Sequence, residues 1–112
     1  MSVTPTFRTF VTEQLSRASV PIRTRAMFGG VGLYSGELFF ALIDDDLLYF
    51  KVDDTNRPDF EARGMGPFRP AAEGGEVMQY YQMPEDLLED VEMLGEWARK
   101  AIAVARRKKG RK

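Results

Sequence analysis

The sequence predicts an α+β fold in which helices pack against an antiparallel sheet of about five to six strands, forming two layers. Three observations indicate this class. Apolar residues recur at helical spacing near both ends of the chain, aromatic and aliphatic runs separated by turn residues fill residues 22–52, and 112 residues suit one compact domain. The expected order is a helix, three or four strands, a second helix, two strands and a third helix.

The first helix is predicted from Thr4 to about Ser16. Thr4 is a suitable N-cap, and Pro5 fits the first helical position because an N–H there would have no partner within the helix. Spacings of three and four residues between apolar positions give this helix one face to bury. These positions are Phe7, Phe10, Val11 and Leu15.

Strands are predicted within residues 22–52. Leu38–Ile43 is apolar throughout, as is typical of a central strand covered on both faces, whereas Leu47–Val52 alternates between apolar and other residues. Ser35-Gly36 and Asp44–Asp46 are the predicted hairpin turns. Strands joined by such short turns must be antiparallel neighbours.

A short second helix is predicted to end at Arg63, with its N-cap among residues 53–55 and Gly64 just beyond its end. Two further short strands are predicted at Pro67–Pro70 and Val77–Met83.

The last helix is predicted from about Asp90 to Arg107. Its acidic first turn and basic last turn both favour the helix macrodipole. We expect a single domain over residues 1–105 and a basic, flexible tail at residues 106–112. The apolar stripe of this helix consists of Val91, Leu94, Trp97, Ala98, Ala101, Ile102 and Ala105.

The composition lacks both histidine and cysteine. This removes the side chain best suited to proton transfer near neutral pH, thiolate nucleophiles, and the usual imidazole and thiolate metal ligands. We therefore expect no enzymatic activity, no cofactor and no metal ion. Because the sequence also lacks a run of about 20 apolar residues and a signal-peptide pattern, we expect a cytoplasmic protein without a membrane partner.

The charge is distributed unevenly. Ten basic and 17 acidic residues precede Arg106, which gives residues 1–105 a formal charge of −7. The last seven positions hold six basic residues, namely Arg106, Arg107, Lys108, Lys109, Arg111 and Lys112.

This basic end suits salt-sensitive contacts with nucleic-acid phosphates, or it merely solubilises the end of a helix. The acidic body would repel DNA, and no aromatic residue is interleaved with the basic residues to stack on bases. Nonspecific nucleic-acid binding is therefore kept as the alternative function, without sequence-specific readout.

Residues 25–34 read RAMFGGVGLY, an arginine followed by Met-Phe-Gly-Gly, a third glycine and an aromatic residue. Several later segments accompany this motif in order. They are Phe39-Phe40, YFKVDD at 49–54, RPDFEARGMGPF at 57–68, YYQMPEDLLED at 80–90 and EWARKA at 96–101.

Together these segments resemble the N-terminal domain of the TfoX competence-regulator family across almost the whole chain. The resemblance implies a two-layer α+β domain similar to type III secretion chaperone-like architectures, homodimerisation, and a regulatory role without enzymatic activity. Full-length TfoX-like regulators carry a second, C-terminal domain, whereas we expect a stand-alone N-terminal domain here. The motif residues, which we expect to be mainly structural, are Arg25, Met27, Phe28, Gly29, Gly30, Gly32, Tyr34 and Trp97.

The leading hypothesis is therefore a non-catalytic regulatory or protein-interaction domain, linked to competence or transcription, whose partner the sequence does not identify. The expected partners are an unidentified protein and a second copy of the chain.

The glycines Gly29, Gly30 and Gly32 admit two interpretations. A phosphate-binding loop would open a helix after a strand, but the residues that follow continue as a strand, and no Gly-Lys-Ser/Thr is present. A bulge or a tight bend is the favoured interpretation.

The aspartates Asp44, Asp45 and Asp46, together with Asp53 and Asp54, are candidate oxygen ligands for a hard cation. Three adjacent aspartates point in different directions, and the spacing of a calcium-binding loop is absent. A solvated turn and a helix cap are the favoured interpretation.

Arg23 and Arg25 begin the first strand and, with Lys51 from a strand expected to lie beside it, are candidates for anion or partner contact. The competing and favoured interpretation is charge that protects a sheet edge. The remaining candidates are assigned either to core packing, which is favoured, or to a dimer surface. They are Tyr80, Tyr81 and Met83.

Overall fold

The computed structural model describes residues 3–27, 30–68 and 79–110. Within these residues three α-helices, one 3₁₀ helix and five strands form an α+β domain, as predicted. In chain order the elements are α1 (Pro5–Arg17), β1 (Arg23–Met27), β2 (Gly30–Ser35), β3 (Leu38–Asp44), β4 (Leu47–Lys51), α2 (Arg57–Glu61), β5 (Tyr80–Gln82), a 3₁₀ helix (Glu85–Glu89) and α3 (Val91–Gly110).

The strands form one sheet in the order β1-β2-β3-β4-β5, and each strand is antiparallel to its neighbours. Both predicted hairpin turns are confirmed, except that Ser35 ends β2 and the first turn is formed by Gly36 and Glu37. Gly36 has a φ of 62° in the β2–β3 turn, and Asp45 and Asp46 have φ values of 55° and 57° between β3 and β4. Two consecutive positive φ values are typical of a type I′ turn, whose twist matches that of the strands it joins.

The helices form the second layer. α1 and α3 pack against each other, and α3 packs against β3 and β4. The core between the layers includes fully buried residues from three strands, Leu33, Ile43 and Phe50, together with Phe60 of α2 and Trp97 of α3. The centroids of the Phe60 and Trp97 rings lie 4.7 Å apart in an edge-on contact.

The N-cap of α1 also fixes this helix to the sheet. The backbone N–H of Phe7 donates to Thr4 Oγ1 over 3.2 Å, as predicted from Thr4 and Pro5. The backbone N–H and the hydroxyl of Thr4 in turn donate to the carboxylate of Asp46, over 2.8 and 3.0 Å. The start of α1 is therefore tied to the β3–β4 turn.

The second helix is shorter than predicted, and its predicted N-cap is wrong. Asn56 is the capping residue, and its side chain bonds to the backbone of Lys51 and Asp53 instead of capping α2. Asp53 accepts hydrogen bonds from Thr55, so the predicted capping carboxylate closes a turn before the helix begins.

The last helix continues to Gly110, three residues beyond its predicted end. Residues 106–110 therefore extend α3, and the prediction that a flexible tail begins at residue 106 is wrong for them. Residues 111 and 112 lie outside the described part of the chain. None of the helices described here has the length and apolar character needed to cross a membrane.

The predicted strands in the second half are also shorter than expected. In the described half of the strand predicted at Pro67–Pro70, Pro67 forms an isolated bridge with Tyr81, and residues 69 and 70 lie outside the described residues. Of the strand predicted at Val77–Met83, Tyr80–Gln82 is confirmed as β5, and residues 77 and 78 are not among those described.

Candidate interaction surface

Side-chain alternation places several residues of the family-like motif on the side of the sheet opposite the helices. Val31 and Leu33 of β2 belong to the core, so Gly30, Gly32 and Tyr34 face the other way. We call this side the open sheet face. The strand register gives its residues, which are Arg23, Arg25, Gly30, Gly32, Tyr34, Phe39, Leu42, Tyr49, Lys51, Tyr80 and Gln82.

Three rings cross the open sheet face in one row. The ring centroids of Tyr34 and Phe39 are 5.1 Å apart, and those of Phe39 and Tyr80 are 5.5 Å apart. We call these three residues the aromatic row. A cation lies at each end, because the Arg23 guanidinium is 5.5 Å from the centroid of Tyr34 and Lys51 Nζ is 4.8 Å from that of Tyr80.

A second aromatic pair enlarges this surface. The ring centroids of Tyr49 and Phe68 are 4.9 Å apart in an edge-on contact. Phe68 is held beside the sheet edge because its backbone N–H donates to the carbonyl of Tyr80 over 2.7 Å. Tyr34, Phe39, Tyr49 and Phe68 are all half-buried, so each retains some surface accessible to a partner.

Burial is greatest at Tyr80, which is 4% exposed. Burial and the nearby Tyr34 raise the pKa of the Tyr80 hydroxyl, which accepts a hydrogen bond from Lys51 Nζ over 3.2 Å. Burial and the charge of Lys108 lower the pKa of Lys51. The end of α3 therefore adds positive potential at the Lys51 end of the aromatic row.

Negative potential lies at the end of β3, where Asp44 and Asp45 lead into the β3–β4 turn. Burial, followed by the charges of Asp44 and Asp45, raises the pKa of Tyr49. The open sheet face is therefore cationic along the aromatic row and anionic at the β3–β4 turn.

The structure separates Lys51 from the arginines. Arg23 and Arg25 lie on β1, whereas Lys51 lies on β4 with β2 and β3 between them, so the prediction that Lys51 comes from a neighbouring strand is wrong. The consecutive order of the strands causes this separation. The three cations nevertheless share one face, where the aromatic row links Arg23 to Lys51.

Sequence reasoning missed the aromatic row because Tyr34, Phe39 and Tyr80 are adjacent only through strand pairing. The sequence analysis treated Tyr80, Tyr81 and Met83 as one group, assigned either to core packing or to a dimer surface. Met83 lies in the core, and Tyr81 packs against Phe60 on the helix side, whereas Tyr80 belongs to the open sheet face.

Gly30 and Gly32 lie in strand β2. β1 ends at Met27 and β2 begins at Gly30, so no helix follows the glycines as a phosphate-binding loop would require. The register shift between β2 and β3 lies at Leu33 and Tyr34, one residue beyond Gly32. Phe28 and Gly29 lie outside the described residues, as does the side chain of Met27. A Cβ built on Gly30 would lie 2.5 Å from the carbonyl oxygen of Ile43.

The basic end of α3 is only partly available for contacts. Arg106 and Lys108 are exposed, but Arg107 donates to the carboxylate of Asp53 over 2.9 Å and to Thr55 over 2.8 Å. Burial would raise the pKa of Asp53. The hydrogen bonds that the Asp53 carboxylate accepts from Thr55 and from Arg107 lower this pKa to about 2. The side chain of Lys109, and all of Arg111 and Lys112, lie outside the described part of the chain.

The candidate metal ligands do not converge. Among the residues that the structure describes, no group of three or more carboxylates is positioned to hold a metal ion. Asp46 accepts hydrogen bonds from Thr4, and Asp53 accepts them from Thr55 and Arg107.

Two other groups with shifted pKa values, Asp86 and Lys100, lie in surface ion pairs. Arg63 donates to Asp86 and lowers its pKa, and Asp59 raises the pKa of Lys100, which lies 2.9 Å from it. These shifts reflect pairing at the surface and not a set of acids gathered in an apolar pocket.

Comparison with known proteins gives one family. The profile of the TfoX N-terminal domain matches residues 13–105, a range that includes α3 as far as Ala105 and all five strands. No curated protein matches the chain.

Proposed function

Because the chain belongs to the TfoX N-terminal domain family, we propose that it is a non-catalytic regulatory interaction domain that binds its partner through the open sheet face. The family supports a regulatory or competence-related role. The observation that carries the proposal is the aromatic row of Tyr34, Phe39 and Tyr80, flanked by Arg23 and Lys51 on the side of the sheet where the described residues place no helix.

An antiparallel sheet with one face on a core usually presents polar residues on its other face. Here the other face carries the half-buried rings of Tyr34 and Phe39, which contact each other, beside the buried side chains of Tyr80 and Leu42. Aromatic residues and arginine are enriched at interfaces, where rings give a large contact area and arginine gives directional hydrogen bonds. The composition of this face therefore fits a binding surface.

The side-chain chemistry supports binding in preference to catalysis. With no histidine or cysteine, a proton-transfer site would have to use carboxylates, tyrosines or lysines. The described carboxylates with shifted pKa values, Asp53 and Asp86, bond to Arg107 and Arg63. These contacts stabilise the charged carboxylates and do not prepare them to accept a proton.

The test is complementation. A strain of the source organism that lacks the gene receives either the wild-type chain or a variant, and its function is then measured. Tyr34→Leu/Phe39→Leu removes two rings from the open sheet face but keeps apolar side chains there. Phe10→Leu is the matched control, because Phe10 is a half-buried ring on α1 in the helix layer.

Transcript abundance and DNA uptake are the two measurements, with protein levels checked by immunoblot. We expect the wild-type chain and the Phe10 variant to reverse the effects of the deletion, and the double variant to fail at equal protein level. Full restoration by the double variant would contradict the proposal.

A second candidate function is nonspecific binding of duplex DNA by the basic end of α3. Exposed Arg106 and Lys108, and the effect of Lys108 on the pKa of Lys51, favour it. The test is fluorescence anisotropy of labelled duplex DNA with the wild-type chain and with Arg106→Gln/Lys108→Gln, at 50 and 200 mM salt. Salt-sensitive binding that the variant loses would support this candidate, and equal binding by both chains would exclude it.

A further inference from the structure

The open sheet face also indicates the chemistry of its partner, in an inference that rests on the function proposed above. We propose that single-stranded nucleic acid binds across the aromatic row, with bases stacked on Tyr34 and Phe39 and phosphates beside Arg23, Arg25 and Lys51. Both RNA and DNA offer this combination of unpaired bases and phosphates, and the experiment below distinguishes them.

The rings provide the first argument. Unpaired bases stack on aromatic side chains carried by a sheet, and each such contact contributes to affinity without requiring one particular base. Tyr34 and Phe39 are half-buried, and their rings stack on each other at the Arg23 end of the row. Tyr49 and Phe68 offer a second pair on the same face.

The cations provide the second argument. Arg23 and Arg25 are exposed on β1, at one edge of the sheet, and Lys51 lies beyond the other end of the row. Arg23 is held in place by hydrogen bonds to the carbonyl of Gly36, over 2.9 and 3.3 Å, and Lys51 by one to the hydroxyl of Tyr80, over 3.2 Å. Their side chains are therefore placed to complement the charge of a phosphate backbone that runs across the strands.

The acidic residues indicate which path a bound nucleic-acid strand takes across the open sheet face. Asp44 and Asp45 lie at the far end of β3, beside Tyr49. Seven of the other 13 acidic residues that the structure describes belong to the 3₁₀ helix, α2 and α3 in the helix layer, and Glu37 lies in the β2–β3 turn. A strand that follows the aromatic row from Arg23 to Lys51 therefore avoids the acidic turn.

A duplex fits this surface less well, because its bases are paired and stacked on one another and cannot reach the rings. We therefore expect preference for single strands, in contrast to binding by the end of α3 alone, which depends on phosphate charge and favours the denser charge of a duplex.

The test is fluorescence anisotropy of the full chain with three labelled probes, a 15-residue deoxythymidine strand, a 15-residue uridine strand and a 15-base-pair duplex, at 50 and 200 mM salt. We expect either single strand to bind about tenfold more tightly than the duplex. Tighter binding of uridine would identify RNA as the partner, and tighter binding of deoxythymidine would identify DNA.

The variants separate stacking from charge. Tyr34→Leu/Phe39→Leu should weaken single-strand binding about tenfold or more, because both stacking rings are lost. Lys51→Gln should weaken binding of every probe and reduce the slope of log affinity against log salt by about 1. Phe10→Leu should bind as the wild-type chain does, and thermal unfolding checks that each variant is folded.

Three results would overturn the inference. The first is no single-strand binding at 50 mM salt. The second is single-strand binding that Arg106→Gln/Lys108→Gln abolishes and the ring variant leaves unchanged, which would assign binding to the end of α3.

The third is a stable dimer in sedimentation velocity that the ring variant dissociates and that the single strands do not displace, which would make the open sheet face a contact between two copies. If the strands fail to bind while the ring variant still fails to restore regulation in cells, the inference is wrong and the proposed function stands.

Discussion

Replacing Gly30 by alanine tests whether this motif glycine serves the packing of the sheet. The added Cβ would lie 2.5 Å from the carbonyl oxygen of Ile43, closer than such atoms approach in folded proteins. The obstacle is backbone of the neighbouring strand and not the flexible end of a side chain. Strands β2 and β3 must therefore shift at the position where Val31 pairs with Ile43.

The expected effect is a loss of stability. Overpacking of this kind costs about 1–3 kcal/mol. Against it, alanine restricts the unfolded chain more than glycine and recovers about 0.4–1 kcal/mol. The net loss should be about 1–2 kcal/mol, which corresponds to a decrease of roughly 4–16 °C in Tm for a domain of about this size.

The assay is urea unfolding followed by far-UV circular dichroism and by the fluorescence of Trp97. The matched control is Gly66→Ala, because no atom lies within 4 Å of its added Cβ and its φ is outside the left-handed region. The control should be as stable as the wild-type chain or slightly more stable. An unchanged urea midpoint for Gly30→Ala, or an equal decrease for both variants, would refute the reasoning.

Three further predictions concern the supports of the domain. Thr4→Ala removes the N-cap of α1 and its hydroxyl contact with Asp46, and should cost about 1 kcal/mol in thermal unfolding; no change would show that the cap is dispensable. Phe60→Ala, at a site only 1% exposed, should cost about 3–5 kcal/mol in urea unfolding, and a loss below 1 kcal/mol would contradict its place in the core. Burial raises the pKa of Asp53, but hydrogen bonds from a nearby threonine and from Arg107 lower it to about 2, below its unfolded value. The resulting stabilisation is present above about pH 4 and lost as the pH falls to 2, so Arg107→Gln should flatten the decrease of the urea midpoint over this range. An unchanged pH profile would contradict this role of Arg107.

The sequence carries local signals for much of the fold. Thr4 and Pro5 mark the start of α1, and the Asp44–Asp46 turn marks the β3–β4 hairpin, because caps and tight turns depend on a few adjacent residues. The antiparallel order of β1 to β4 follows from their short connections.

Other features depend on contacts between distant residues. Arg107 reaches Asp53 across 54 positions of the chain, a contact made by the end of α3 that the sequence alone does not reveal. The cap of α2 differs from the prediction because the Asp53 carboxylate bonds to Thr55 and leaves the capping position to Asn56. Competing local hydrogen bonds of this kind are hard to rank from sequence.

The open sheet face was hidden for a similar reason. Tyr34, Phe39 and Tyr80 meet because β2 pairs with β3 through a register shift and β5 joins the far side of β4. A shift of one residue would place these rings on the opposite face. The presence of each strand was predictable from its own sequence. Which side chains of different strands share one face could be known only from the register between the strands.

The most direct test of the open sheet face as the functional surface is photocrosslinking in cells. A benzophenone amino acid replaces Tyr34 in one chain and Phe10 in a matched control, and adducts are detected by their shift on denaturing gels. We predict that irradiation yields a discrete adduct from position 34 and little from position 10, and that nuclease removes the adduct if the partner is nucleic acid. Equal adducts from both positions, or none from position 34 in cells that contain the protein, would contradict the account.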